Sequence, residues 1–289
     1  MTRIGIVLLI SIGCLGAQTA FDVASVKPSK EPGPPNFPLD GGNAKTAGGR
    51  LSARTGLWEF ISFAYKLSPY ESQTVFAQLP KSVSAGFYEI EARAEGNPTK
   101  DQMRLMMQSL LADRFKLKVH FETREAPVFA LILVKPGKTG RKLIPHSEGP
   151  PCPESFSTPP PGVVVPKAGG AFPANCEVLG GFQVIAEGVL QVGLRDATMQ
   201  SVAEAIYTAG HWTREADKPV VDETGLGGRF DFIIRFTPAL YDRTGESLPD
   251  PSGIPFRNAL RDQLGLKLKS SRAPIRRIVI DHVEKPAEN

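Results

Sequence analysis

The feature that most constrains this chain is a pattern of apolar residues that occurs twice. Leu57, Phe60, Ile61, Ala64 and Tyr65 fall at helical intervals, and at a constant offset of about 142 residues stand Met199, Val202, Ala203, Ile206 and Tyr207. Tyr88-Glu89-Ile90 then corresponds to Phe230-Asp231-Phe232, each opening a strand rich in aromatic and branched residues. After a longer insertion in the second copy, Leu111, Phe115, Leu117 and Val119 meet Leu260, Leu264, Leu266 and Leu268. Ala126-Pro127 and Ala273-Pro274 follow, each expected to turn the chain into another apolar run. This shared order predicts an α+β fold of two related units produced by internal duplication. Each unit would place two helices on a small mixed or antiparallel sheet, with a Pro/Gly-rich linker between them.

A length of 289 residues leaves room for two domains with a core each. Residues 1–17 read as a cleaved export signal: Arg3 supplies a positive start, Ile4 to Leu15 an apolar stretch, and Leu15-Gly16-Ala17 a small-residue end. The apolar part is too short for a transmembrane span, and no other segment of the mature chain is long enough to be one. Lipidation at Cys14 is disfavoured, because Ser11-Ile12-Gly13 lacks a large apolar residue three positions upstream. The chain is therefore expected to be periplasmic or secreted. The first unit spans 18–136, with a strand at Phe21–Val26 and a Pro-rich surface loop from Lys27 to Gly49. The linker spans 137–181 and the second unit 182–289.

Within the units, Thr99 reads as the cap of a helix whose Met103, Met106, Met107, Leu110 and Leu111 form a core stripe. Phe115, Leu117, Val119 and Phe121 alternate with polar residues as a half-buried strand does, and Thr123-Arg124-Glu125 is expected to turn the chain back. Pro219 to Gly228 reads as a turn of fixed form, because its glycines permit backbone shapes that other residues resist.

With the signal removed, Cys152 and Cys176 remain, and an even count in an exported chain favours a disulfide. Zinc would need further ligands at close spacing, and the sequence offers none beside them. A formal net charge of +4 with mixed signs suggests no nucleic-acid footprint. No nucleophile elbow, phosphate loop or paired-histidine helix occurs. The best catalytic candidates are His282 with a carboxylate such as Asp222, although Asp281 and His282 are neighbours on a strand and point to opposite faces. His120 and Glu122 share a strand face, but two ligands do not make a metal site. Trp58, Tyr207 and Trp212 could stack on a ligand, and Trp212, Asp222 and Thr224 are the candidate binding residues. The reading leans to a non-catalytic module that binds an envelope protein or an extended peptide, with no cofactor and no metal. The alternative is an envelope hydrolase built on His282 and Asp222.

Five segments together resemble the DUF3738 family, a Solibacter-type group of uncharacterised exported proteins abundant in Acidobacteria. They are Phe21-Asp22-Val23-Ala24-Ser25-Val26-Lys27-Pro28, Leu110-Leu111-Ala112-Asp113-Arg114-Phe115, Pro219-Val220-Val221-Asp222-Glu223-Thr224-Gly225-Leu226, Leu264-Gly265-Leu266-Lys267-Leu268 and Val279-Ile280-Asp281-His282-Val283-Glu284. The resemblance covers nearly all of the mature chain. It departs from the family pattern at Tyr88-Glu89-Ile90, where Phe-Asp-Ile is expected, and at the arginines after Arg272-Ala273-Pro274-Ile275, where a more apolar run is usual. It implies export, a two-part α+β fold and, in some relatives, fusion to membrane peptidases resembling antibiotic-sensor proteins. It brings no catalytic residues. A likeness to the short N-terminal domains of secretins and TonB-dependent receptors holds at the level of fold analogy alone.

Overall fold

Two long strands organise the chain. The computed structural model describes residues 20–40, 48–148, 152, 173, 176–177, 179–186, 188–238, 240–241, 247–248 and 253–286. The expected signal at 1–17, with Cys14, and most of the expected linker at 137–181 lie outside the described residues. In chain order the first elements are β1 (Val23–Ser29), β2 (Arg50–Gly56), α1 (Leu57–Ala64), α2 (Pro69–Gln78), α3 (Lys81–Ser84), β3 (Phe87–Arg93), α4 (Lys100–Arg114), β4 (Lys118–Leu133) and β5 (Leu143–Pro145). They are followed by β6 (Gly180–Ala186), β7 (Val189–Ala197), α5 (Met199–Trp212), β8 (Val220–Asp222), β9 (Phe230–Phe236), β10 (Leu240–Tyr241), β11 (Ser247–Leu248), α6 (Phe256–Ala259) and β12 (Leu266–His282). A π turn, Leu260–Leu264, extends α6. Three small, mostly antiparallel sheets result, ordered β1-β3-β2, β12-β4-β8 and β5-β9-β7-β6, with β10 and β11 as a short ribbon.

Local sequence explains the helices. Thr99 and Gln102 form a reciprocal cap on α4, the Thr99 hydroxyl accepting from the Gln102 N–H at 3.2 Å. Ser68 and Glu71 do the same on α2. The methionine and leucine stripe of α4 is buried, as core residues are.

The turn expected at Thr123-Arg124-Glu125 does not form. β4 continues straight through Ala126-Pro127, paired with β12 from Leu133 opposite Leu266 to Lys118 opposite His282, and Ala126 faces Ala273 near the middle. Both prolines fit because of where their nitrogens point. The Phe129 N–H donates to the Pro219 carbonyl at 2.8 Å, so alternate residues 127, 129 and 131 face away from β12. On the other strand, the Gln78 amide donates to the Ile278 carbonyl at 3.0 Å and accepts from the Ile280 N–H at 3.1 Å, so Pro274 faces away from β4. Neither proline interrupts the ladder, because neither position owes it a donor.

Each long strand serves two cores. The first core gathers Phe60, Phe63, Met103, Met107 and Phe115 around Ile90, and receives Ile278 from the far end of β12. The second gathers Val202, Ile206, Phe232, Phe236 and Leu264, and receives Phe129 and Leu131 from the far end of β4. Between them, α2 meets α5 through the edge-on rings of Tyr70 and Tyr207, 5.8 Å apart, and through Tyr207 Oη donating to Gln73 at 2.7 Å. Burial, reinforced by Tyr70, pushes the Tyr207 phenol up to about 12.

Two loop expectations change. The described part of Lys27 to Gly49 is less free than a surface loop: Asn36 pairs with Ser52 through backbone and side chain, and Phe37 is buried edge-on to Phe63. At the start of the expected linker, Leu143–Pro145 pairs with β9 and buries Leu143 in the second core. The segment is held there by a close crossing. Gly140 donates to the Leu264 carbonyl at 2.8 Å, and a Cβ on Gly140 would lie 2.3 Å from the Gln263 carbonyl. Among the described residues, no helix is long and apolar enough to cross a membrane.

Because the cores share β4 and β12, they should unfold together. Leu131→Ala and Ile278→Ala, each emptying a fully buried site, should each cost about 2–5 kcal/mol. In urea, fluorescence from Trp58 and from Trp212, isolated in single-tryptophan variants, should give one midpoint that moves with either substitution.

Candidate functional site

A cleft of ≈ 890 Å³ runs between the two halves, walled by α1 and α2 on one side and by α5 and Arg229, which precedes β9, on the other. This volume lies in the range of ligand sites. Its lining is mixed: Trp58, Leu39 and Leu179 are apolar, Ser62, Ser72, Gln73, Thr198, Ser201 and Thr208 offer hydroxyls and an amide, and Glu59, Glu177, Glu204, Lys66, Arg229 and Arg276 bring both signs of charge. Trp58 is set edge-on to Phe76 at 6.2 Å. Arg276 donates to Glu71 at 2.8 Å and lies 4.7 Å over the Phe121 ring, which anchors one corner of the cleft to β12. Burial raises the Glu204 carboxyl above its ordinary value, against the opposing hydrogen bond that Gln200 donates at 3.0 Å. A smaller cavity of ≈ 260 Å³ adjoins, lined by Tyr70, Tyr207, Pro219 and Ile275.

At the end of the cleft marked by Glu177 and Arg229 stands a second constellation. Phe230, Phe232, Ile234 and Phe236 turn one face of β9 to the core. Asp231 lies on the other face and is nevertheless completely buried. One of its oxygens, Oδ1, accepts from the Asp196 N–H at 2.8 Å and from His146 Nδ1 at 2.7 Å; Oδ2 has no partner among the described residues. A register shift in β7 between Leu194 and Ala197 delivers Asp196 in the left-handed region at φ 49, which aims its N–H at Asp231. Arg229 bonds Asp196 and Glu177 together.

His146 follows β5 in a single short turn, and its N–H donates to the Arg229 carbonyl at 2.8 Å. Its Nε2 faces Cys152 Sγ at 3.5 Å, and Asp196 Oδ2 lies 3.7 Å from the same sulfur. Cys152 is bonded to Cys176, as expected. The imidazole nitrogen and the two sulfurs lie within 4.8 Å of one another, so the structure brings a histidine to the cysteines where the sequence shows none. With its sulfurs joined, the pair offers no thiolate to a metal.

The residues singled out from sequence fall elsewhere. His282 stands opposite Lys118 and Asp222 opposite Leu131, so they occupy distant ends of β4, roughly 40 Å apart at ~3.3 Å per residue. They share no site, and His282 bonds Glu284 at 2.7 Å instead. Asp222 closes its own turn, accepting from the Thr224 N–H at 2.9 Å and hydroxyl at 2.7 Å. Trp212 ends α5 at 73% exposure. None of Trp212, Asp222 and Thr224 lines the cleft. His120 meets Asp281 across the strands, with Nδ1 2.9 Å from either oxygen, and lies 3.5 Å from Glu122. The clue to Asp231 was a carboxylate inside the aromatic run Phe230-Asp231-Phe232, and the clue to His146 was its place six residues before a cysteine.

Fold and sites together define an α+β protein with two cores spanned by a shared two-stranded ribbon. The chain belongs to the DUF3738 family, described as a protein of unknown function, which it matches over residues 58–283. No curated protein and no solved structure matches the chain.

Two titrations report on this geometry. The raised Glu204 carboxyl favours the fold at pH below its unfolded value and loses that advantage as pH rises through its folded value. Glu204→Gln should therefore raise the melting temperature by about 2–4 °C at neutral pH and leave it unchanged near pH 4. The hydrogen bond that His120 donates to Asp281 raises the His120 pKa, so that pairing supports the fold in acid and is lost as pH rises through the raised value. His120→Asn should lower the melting temperature at about pH 5.5 and have no effect at about pH 9.

Proposed function

We propose that this chain is an exported, internally duplicated binding module whose cleft takes an extended peptide segment of an envelope partner. The observation that carries the reading is the cleft itself, formed by helices from both halves and lined by hydroxyls and amides beside an aromatic ring. Such groups pair with the backbone N–H and carbonyl groups of an extended chain, while Trp58 and the neighbouring leucines cover its side chains. Charges of both signs disfavour a polyanion. Addition of a strand to the β4–β12 ribbon is the less favoured mode, because Pro127 and Pro274 remove outward donors.

Duplication is supported by the order of elements: with α2 and α3 set aside in the first half and β8, β10 and β11 in the second, β2, α1, β3, α4 and β4 are followed by β7, α5, β9, α6 and β12 in the same sequence of types. Export is supported by the composition of residues 1–17 and by the Cys152–Cys176 disulfide.

Panning a random decapeptide display library against the purified mature chain tests the reading. Enriched peptides should bind Ser201→Arg, which fills the cleft wall, at least about tenfold more weakly, with Trp212→Ala unchanged. No enrichment, or equal binding by a folded Ser201→Arg, would overturn it.

A further inference from the structure

The Cys152–Cys176 disulfide has neighbours that a covalent staple does not require. A disulfide sulfur carries no proton to donate and accepts weakly, yet Cys152 Sγ sits between His146 Nε2 at 3.5 Å and Asp196 Oδ2 at 3.7 Å. Neither contact has full value while the sulfurs are joined. Both acquire it on reduction: a Cys152 thiol donates to Nε2 or to the carboxylate, and a Cys152 thiolate faces the imidazolium formed by taking up its proton. The histidine is also fixed in the required tautomer. Asp231 Oδ1 accepts from the Asp196 N–H and stands 2.7 Å from Nδ1, a pairing that places the ring hydrogen on Nδ1 and leaves Nε2 for the sulfur. Burying the Asp231 carboxylate completely is costly, and at 2.7 Å from His146 Nδ1 it holds the ring in place.

We propose that Cys152–Cys176 is an electron-accepting disulfide that exchanges with a pair of thiols on a partner protein, with His146 as the proton carrier of Cys152 and Asp231 as its positioning residue. The surroundings stabilise the reduced pair more than the oxidised pair, and that difference makes a disulfide oxidising. Both cysteines are partly exposed, and Glu177, next to Cys176, lines the end of the cleft. The proposal does not depend on what the cleft binds.

The exchange balances in two steps. His146 Nε2 takes the proton of an incoming partner thiol, and the thiolate so formed attacks Cys176 Sγ, forming a mixed disulfide; the Cys152–Cys176 bond breaks and its electron pair leaves on Cys152, which receives that proton from His146. The partner's second thiol gives its proton to solvent and attacks the partner sulfur of the mixed disulfide, forming the partner's own disulfide and releasing Cys176 as a thiolate that takes a proton up from solvent. The partner's two thiols have lost two protons and two electrons, and Cys152 and Cys176 have gained them. Cys152 is the better leaving sulfur because His146, once it has taken the proton of the incoming thiol, stands beside it as a proton donor.

The test uses the full mature chain equilibrated in glutathione redox buffers at pH 7 with a chelator, thiols being counted by alkylation and mass spectrometry. His146→Gln should shift the equilibrium toward the disulfide by at least about tenfold, equivalent to ~30 mV. In the reduced wild-type protein, Cys152 should alkylate at about pH 6 at least about tenfold faster than Cys176, which serves as the reference within the same molecule and decides the matter should His146→Gln not fold. Equal alkylation of the two cysteines, or an equilibrium unmoved in a folded His146→Gln, would overturn the proposal and leave a structural cross-link.

Discussion

The pairing of β4 with β12 is the interaction on which the rest depends. Each strand begins in one core and ends in the other, so the ladder between them is also the connection between the halves. Leu131 and Leu266 stand at one end and Val119 and Ile278 at the other, while the middle, around Ala126 and Ala273, is half-exposed and spans the gap. A ribbon shared in this way fixes the spacing between α2 and α5, and that spacing is the cleft. Rotation of one half against the other would break backbone bonds as well as side-chain contacts.

The sheet carrying the second core uses its two faces differently. One face of β9 is aromatic and buried against α5 and α6; the other holds a single carboxylate under His146 and the disulfide. Covering Asp231 requires three distant segments to meet: the turn after β5, the shifted register of β7 and the loop bearing Cys176. A buried carboxylate with one oxygen satisfied twice and the other without a partner among the described residues is an expensive arrangement if its only task is to hold a loop. The stabilising part of that loop is the covalent bond, which by itself restricts the unfolded chain.

Much of the fold was legible because it rests on local periodicity. The cap at Thr99 and the burial of the α4 methionines follow from side chains three and four residues apart, whereas the turn expected over Pro219–Gly228 begins only at Asp222, because Val220–Asp222 pairs in parallel with β4. The α+β class and the membership of the DUF3738 family were legible for the same reason, since both lie in runs of sequence. The turn at Thr123–Glu125 was misjudged because a proline after an exposed stretch usually ends a strand. Here the proline faces outward, and only the register with β12 reveals that.

The even cysteine count pointed to the disulfide, and the sequence by itself determined where most helices and strands form and which face of each is apolar. These properties depend on neighbours within a turn of helix or two residues of strand, and such neighbours are written next to one another. Tertiary structure decided which core receives each end of the long strands, that His282 and Asp222 lie at opposite ends of a sheet, and that His146 meets Asp231 beside Cys152. Those meetings depend on strand register and on a bulge at Asp196, where a shift of one residue turns a side chain from one face of the sheet to the other. Local periodicity carries no information about that choice; the balance of burial over the whole molecule makes it.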